Sequence, residues 1–203
     1  FWSDEVDVVC HGSETLDAKK LRTWKEPYEV NGVILAEGTG RNIYERSPKY
    51  FVWNTLIRRS FLEQLHLRFL PFVMAEDASF LLELMMAEPR TRDVSSNIYR
   101  YTVSDHQITR QRNPEMMMRC VDAYLHFLSR LRYYGQSEVL KSQLVPFYSR
   151  VLSADLNREE FSRLAEKTHA MDIRIGSFFS YVPMSFLFRR FFVPFILPKI
   201  GRG

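Results

Sequence analysis

Two adjacent carboxylates, Glu76 and Asp77, stand at the head of an apolar run that includes Phe80, Leu81, Leu82, Leu84, Met85 and Met86. A pair so placed can do either of two things. It can complement the positive end of a helix and cap its free N–H groups, which is the commoner use of an isolated pair. Or one carboxylate, held on a rigid mount and kept ionised by the dipole, can take a proton from a hydroxyl within hydrogen-bond reach. Upstream, Trp53 offers a flat indole that either stacks on the apolar face of a ligand ring or fills core beneath that helix, and Asn54 can bond hydroxyls. Downstream, the stretch from Ser104 to Arg112 carries His106, Arg110 and Arg112. Guanidinium groups suit the neutralisation of phosphate charge, although a solvated basic loop has the same composition. No metal-ligand set is legible; His106 is the candidate ligand in that loop, and a lone loop histidine is more often plain surface.

The elements that would position these groups follow from pattern. Val6-Asp-Val-Val-Cys10 is a β-branched run ending at His11-Gly12, predicted as a buried strand. From Ser13 to Pro48 the order is irregular, with loops, short strands and one short helix expected. Phe51 to Ile57 reads as a strand, Ser60 to Leu65 as one or two helical turns, and Phe69-Leu-Pro-Phe72 as a turn. Asp77 to Ala87 is predicted as a helix buried on most of its surface, stopped by Glu88-Pro89. Asp93 to Tyr101 alternates as a strand, and Thr102 to Asn113 is a polar loop. Beyond Pro114 the periodicity turns helical: Met116 to Tyr133, Glu138 to Leu152 with Pro146 as a kink, and Arg158 to Thr168. The expected class is therefore α/β up to about residue 113, followed by an α-helical extension over 114–203.

Composition narrows the partners. The chain has 203 residues, 46% hydrophobic and 26% charged, a globular balance rather than a disordered one. A net charge of +4 and a pI of about 9.1 suit anionic partners such as diphosphates or lipid headgroups. Arginines are scattered and no recognised motif accompanies them, so nucleic acid is not expected. Cys10 and Cys120 lie far apart without metal-type spacing and are expected as free thiols.

Taken in order, Val52-Trp53-Asn54, Arg58-Arg59-Ser60-Phe61-Leu62, Leu67-Arg68-Phe69, Glu76-Asp77, Phe80, Tyr99-Arg100-Tyr101 and Ile108-Thr109-Arg110 resemble the C-terminal half of bacterial family-2 glycosyltransferases. These are the inverting GT-A enzymes of polysaccharide and lipopolysaccharide assembly. The resemblance covers residues 6–112, about half of the chain. It implies a partial GT-A sheet with helices over 1–113, a nucleotide-diphospho-sugar donor and a saccharide or lipid-linked acceptor. It implies a divalent metal (Mg or Mn) held by an Asp-x-Asp motif, with Asp77 as the general base and Glu76 orienting it or binding an acceptor hydroxyl. By the same resemblance Trp53 and Asn54 face the acceptor, while Arg110, Arg112 and His106 face the donor diphosphate. The departures are equally clear. No Asp-x-Asp triplet, Gly-rich phosphate loop or nucleotide-binding strand is present, and Thr55 stands where many relatives carry lysine. The expectation is that the donor-binding half and main metal ligands lie outside this chain, upstream of Phe1, and that the chain alone is inactive.

The segment from Gly176 to Ile200 is rich in phenylalanine, carries Arg189 and Arg190, and is broken by Pro183, Pro194 and Pro198. Mid-segment arginines and prolines make it a poor membrane span. It fits the interfacial layer better, as expected of a cytoplasmic protein peripheral on the inner face of the plasma membrane, the alternative being that the phenylalanines pack back onto the helical extension or the absent N-terminal half. A second function class stays open: a basic helical module, without chemistry, that binds a membrane surface or partner.

Overall fold

A computed structural model describes residues 3–17, 32–71, 75–103, 114–153 and 156–170. Within them a four-stranded sheet, β1 (Val8–Asp17), β2 (Ile34–Thr39), β3 (Thr55–Ile57) and β4 (Arg90–Val103), has the order β2-β4-β1-β3. Six helices accompany it among the described residues: α1 (Gly40–Arg46), α2 (Arg59–Leu65), α3 (Glu76–Met86), α4 (Pro114–Tyr133), α5 (Ser137–Ser153) and α6 (Arg158–Ala170). The architecture is α/β with an open sheet, and the helices after Pro114 follow in sequence as the periodicity predicts.

β1 is central. It runs parallel to β4 and antiparallel to β3, while β2 closes the other edge antiparallel to β4. Val8, Val9 and Cys10 are fully buried on successive positions, as a strand covered on both faces must be. The strand continues to Asp17, past the predicted stop at His11-Gly12. Gly12 marks a break in register rather than an end: a Cβ there would lie 2.2 Å from Asn97 Oδ1, so a larger residue would need the Asn97 side chain to move aside. β4 likewise extends to Val103, into the stretch expected to be loop.

α3 is the pivot of the core. Eight of its eleven residues are buried, from Ala78 to Met86 with only Glu83 left partly open. It packs against α1 through Ile43 and Tyr44 and against α4 through residues such as Phe127 and Leu128, all in one continuous hydrophobic cluster. The close approach of α1 needs Gly40, where a Cβ would fall 2.6 Å from Met85 O and from Pro89 Cδ. α3 ends as predicted. Glu88 adopts a left-handed φ of 57° and its N–H bonds Met85 O before Pro89.

The half-open position on α3 is an ion-pair node. Arg130 of α4 donates to Glu83 through Nε (2.5 Å) and Nη2 (3.0 Å), and the Tyr134 hydroxyl also donates to Glu83. Burial alone pushes the Glu83 carboxyl up, but the Arg130 and Tyr134 bonds outweigh it and hold the group below its ordinary value. A depressed carboxylate contributes stability above its unfolded pKa that is lost as pH falls through the folded one. Glu83→Gln is therefore expected to cost about 2 kcal/mol near neutrality. The loss should shrink on acidification, as read from urea midpoints at both pH values.

Candidate functional site

α3 begins abruptly. Ala75 immediately before it takes a left-handed conformation, φ 63° and ψ 8°, and supplies no side-chain cap. A non-glycine residue in that region costs on the order of 1 kcal/mol, and such strain is tolerated where the position it sets is useful. The position set here is that of Glu76 and Asp77 in the first helical turn.

Asp77 is half-buried and reaches across to the segment bearing Trp53. Its Oδ2 accepts the backbone N–H of Val52 at 3.3 Å. Val52 opens a single 3-10 turn, Val52–Asn54, whose preceding residue Phe51 provides no side-chain cap. The carboxylate thus caps that turn from a distant part of the chain. This corrects the reading of Phe51 to Ile57 as one strand. The turn takes its first half, closed also by Thr55 Oγ1 donating to Val52 O at 2.7 Å, and only Thr55–Ile57 pairs with β1.

Trp53, half-buried on this turn, is stacked against three other rings. Phe51 lies 4.9 Å away at an interplanar angle of 15°, Tyr99 at 4.9 Å and 28°, and Tyr101 at 5.3 Å and 22°. Tyr99 and Tyr101 come from alternate positions of β4, which β1 and its bulge bring opposite the turn. Phe51, Tyr99 and Tyr101 were assigned no role from sequence, although the alternation Tyr99-Arg100-Tyr101 put both tyrosines on one strand face. Nearby, Asn54 Oδ1 and Glu76 Oε2 are buried and meet no hydrogen-bond partner among the described residues.

Burial pushes the Asp77 carboxyl above its ordinary value of 3.8, and the Val52 N–H bond partly offsets that. Among the described residues this N–H is the one donor to the carboxylate, so one oxygen is held and the group remains a stronger base than a free aspartate. A folded pKa raised above the unfolded one favours the protonated acid. Its contribution is present below the unfolded pKa and is lost as pH rises through the folded value. Asp77→Asn is consequently expected to gain stability relative to wild type as pH climbs from below 3.8 to neutrality. Urea unfolding of both proteins across that range checks it; a constant gap would show that burial of Asp77 has no such effect.

Other chemistry-bearing groups are otherwise engaged. Cys10 and Cys120 are buried free thiols, as expected. Burial pushes the Cys10 thiol up to about 12 and keeps it protonated, with Lys49 lowering and Asp93 raising its pKa to lesser degrees. Lys49 and Asp93 form an ion pair at 3.1 Å, with side chains only 16% and 10% exposed. A depression of about 410 Å³ between α4 and α6 is lined by Asp122, Leu125, His126, Ser129, Lys167 and Ala170, none of them a predicted site residue. Its polar groups serve structure: Lys167 Nζ pairs with Asp122 at 2.6 Å, and Ser129 Oγ bonds His126 O.

Arg110, Arg112 and His106 lie outside the described residues, as does the aromatic segment from Gly176 to Ile200. Among the described residues no group of three or more His, Cys, Asp and Glu side chains is arranged to hold a metal ion. The resemblance places the main ligands of its divalent metal outside this chain, and the described residues supply none of that site. No helix among them is long and apolar enough to cross a membrane.

Comparison with solved structures finds a likeness to S. aureus TarS, residues 1–349, in complex with UDP. The TM-score is 0.31 at 16% identity, covering 74% of this chain and 47% of TarS 1–349. The chain thus spans about half the length of that structure. No family model matches the chain, and no curated protein matches it.

Proposed function

We propose that this chain is the acceptor-side half of an inverting glycosyltransferase of family 2 with a GT-A fold, acting in cell-envelope or exopolysaccharide synthesis. The observation that carries the reading is the setting of Asp77: half-buried, raised in pKa, mounted on the first turn of a buried helix, and held through one oxygen against the turn that bears Trp53. In the proposed reaction an acceptor hydroxyl oxygen attacks the anomeric carbon of a nucleotide-diphospho-sugar from the face opposite the leaving group. The new C–O bond forms as the bond to the diphosphate breaks. The hydroxyl proton passes to Asp77, and the nucleoside diphosphate departs with the electron pair. Glu76 sets the local negative potential and orients Asp77, while Asn54 bonds acceptor hydroxyls. Arg110, Arg112 and His106 face the diphosphate.

In this proposal residues 1–113 form the acceptor half of the transferase and 114–203 the helical extension, whose tail rests on the inner face of the plasma membrane near a lipid-linked acceptor. The donor site and the metal ligands belong to a partner half, so this chain alone does not turn over. The test is nucleoside-diphosphate release from a panel of nucleotide-sugars by the polypeptide joining both halves. Release that depends on acceptor and is lost in Asp77→Asn supports the assignment; unchanged release in that variant overturns it. A second reading draws on the same hydrogen bond. If capping the Val52–Asn54 turn is the whole duty of Asp77, the chain is a basic module without chemistry, and release is absent in every combination.

A further inference from the structure

The ring stack on the Val52–Asn54 turn is larger than the packing of one tryptophan requires. Three rings from two segments lie within 28° of the indole plane, yet the stack is not closed off from solvent. Phe51 is 51% exposed and Tyr99 40% exposed, whereas Trp53 and Tyr101 are half-buried. The indole is engaged by three neighbours at once, so Phe51 and Tyr99 are the more exposed rings of the stack. We propose that this stack is a saccharide-docking platform in which Phe51 and Tyr99 present the ring faces that a sugar meets and Trp53 aligns them.

The proposal deepens the acceptor-side reading given above and rests on it for the class of ligand. Three observations select a neutral sugar over other occupants. Flat rings carry a negative face, which attracts the polarised C–H groups on the apolar side of a pyranose. Asp77 is bonded to the very turn that carries Trp53, and with Glu76 beside it the local charge disfavours an anionic ligand. Two exposed rings are too small an area for a stable protein interface, which takes some 20–30 residues on each side. Rigidity is also provided for. The turn is held by the Asp77 and Thr55 bonds, and Tyr99 and Tyr101 lie on the stretch of β4 paired with β1, so little ordering remains to be done on binding. Trp53 then acts as a positioning residue, and Phe51 and Tyr99 as the contact residues.

The experiment is saturation-transfer NMR and titration of the chain with two neutral probes, cellotetraose and maltotetraose. Transfer to the ring C–H protons of at least one tetraose is expected. Phe51→Leu and Tyr99→Leu should each weaken its binding about tenfold, since leucine keeps the apolar volume and removes the ring. Phe51→Tyr should restore it, and Tyr133→Leu, on the 72% exposed ring at the end of α4, should leave it unchanged. Each leucine variant loses one ring stacked on Trp53, so its thermal midpoint should fall by only a few degrees, and binding is compared at a temperature where every variant is folded. Failure of both tetraoses to bind wild type, or equal binding by both leucine variants, overturns the proposal. So does a dimer that Phe51→Leu dissolves in light scattering while the sugar signals stay unchanged, which would make the patch a self-association face. The readout is binding rather than turnover, so the two readings fail separately. Full transfer by Asp77→Asn would remove the base and leave the platform, and sugar binding indifferent to Phe51 and Tyr99 would do the reverse.

Discussion

With Asp77 as the proposed general base, Asp77→Asn is expected to lower sugar transfer about a thousandfold in a polypeptide that joins this chain to the proposed donor-binding half, with the fold intact. The magnitude is that of removing a positioned general base, for which two to four orders are usual. The amide is a clean probe because it preserves the structural duty of the side chain. Its carbonyl oxygen can still accept the Val52 N–H that Asp77 Oδ2 accepts at 3.3 Å, so the 3-10 turn stays capped. It cannot take a proton from a hydroxyl. Asp77→Ala loses both functions and should in addition unfold more easily by about 1 kcal/mol, the ordinary cost of an absent cap. Comparing the two variants in urea melts and in turnover separates the jobs. If Asn and Ala lose activity in proportion to their lost stability, Asp77 is a cap and nothing more. If Asn loses the rate while melting no earlier than wild type, the proton-transfer role stands.

Phe127→Ala is expected to destabilise the chain by about 3–5 kcal/mol, the range for emptying the site of a fully buried aromatic ring. Phe127 is inaccessible to solvent and meets Tyr50 edge-on at 6.2 Å and Tyr124 edge-on at 5.9 Å. Tyr50 lies just before the Trp53 turn, and its hydroxyl accepts from Gln143 of α5 at 2.8 Å. The ring therefore joins the sheet-bearing part to the helices that follow Pro114. A loss of this size would remove a large share of the stability of an ordinary domain. Because the cluster is continuous from Val8 to Leu164, the variant should also unfold in one transition whether followed by tryptophan fluorescence or by circular dichroism. Two resolved transitions, with only the helical one displaced, would mean that the helices after Pro114 form a core of their own.

How much of this was legible in the chain depended on whether a neighbour distant in sequence intervened. α3 could be read from the run around Leu81, Leu82 and Met85 because nearly every face of it is buried, so its apolar content and its stop at Glu88-Pro89 are local facts. The same holds for α2 and for the three helices after Pro114, where period decides type. The stretch from Phe51 to Ile57 misled for the opposite reason. Its β-branched and aromatic residues favour an extended chain, but a carboxylate 25 positions later draws Val52 N–H into a turn. β1 ran on beyond His11-Gly12 because a parallel partner supplied hydrogen bonds to residues whose own types promise little. Glu76 and Asp77 were visible as a pair, and Trp53 and Asn54 as a neighbouring group, from residue type and order. That Phe51, Tyr99 and Tyr101 join Trp53 was not, since the contact depends on strand register, which no single segment encodes.

That register has an unusual source. Between the Cys10↔Asp93 pair and the Ser13↔Tyr99 pair, β1 advances three residues while β4 advances six. The difference is odd, and side chains on a strand change sides at every step, so the surplus decides which surface of the sheet the tyrosines inherit. Deleting one residue such as Asn97 would turn Tyr99 and Tyr101 to the opposite surface and leave Trp53 with Phe51 alone. Val8, Val9 and the interior of α3 would be untouched. Length variation at this single spot is thus a hereditary dial: it can change which rings the outer surface carries without the folded interior registering any change.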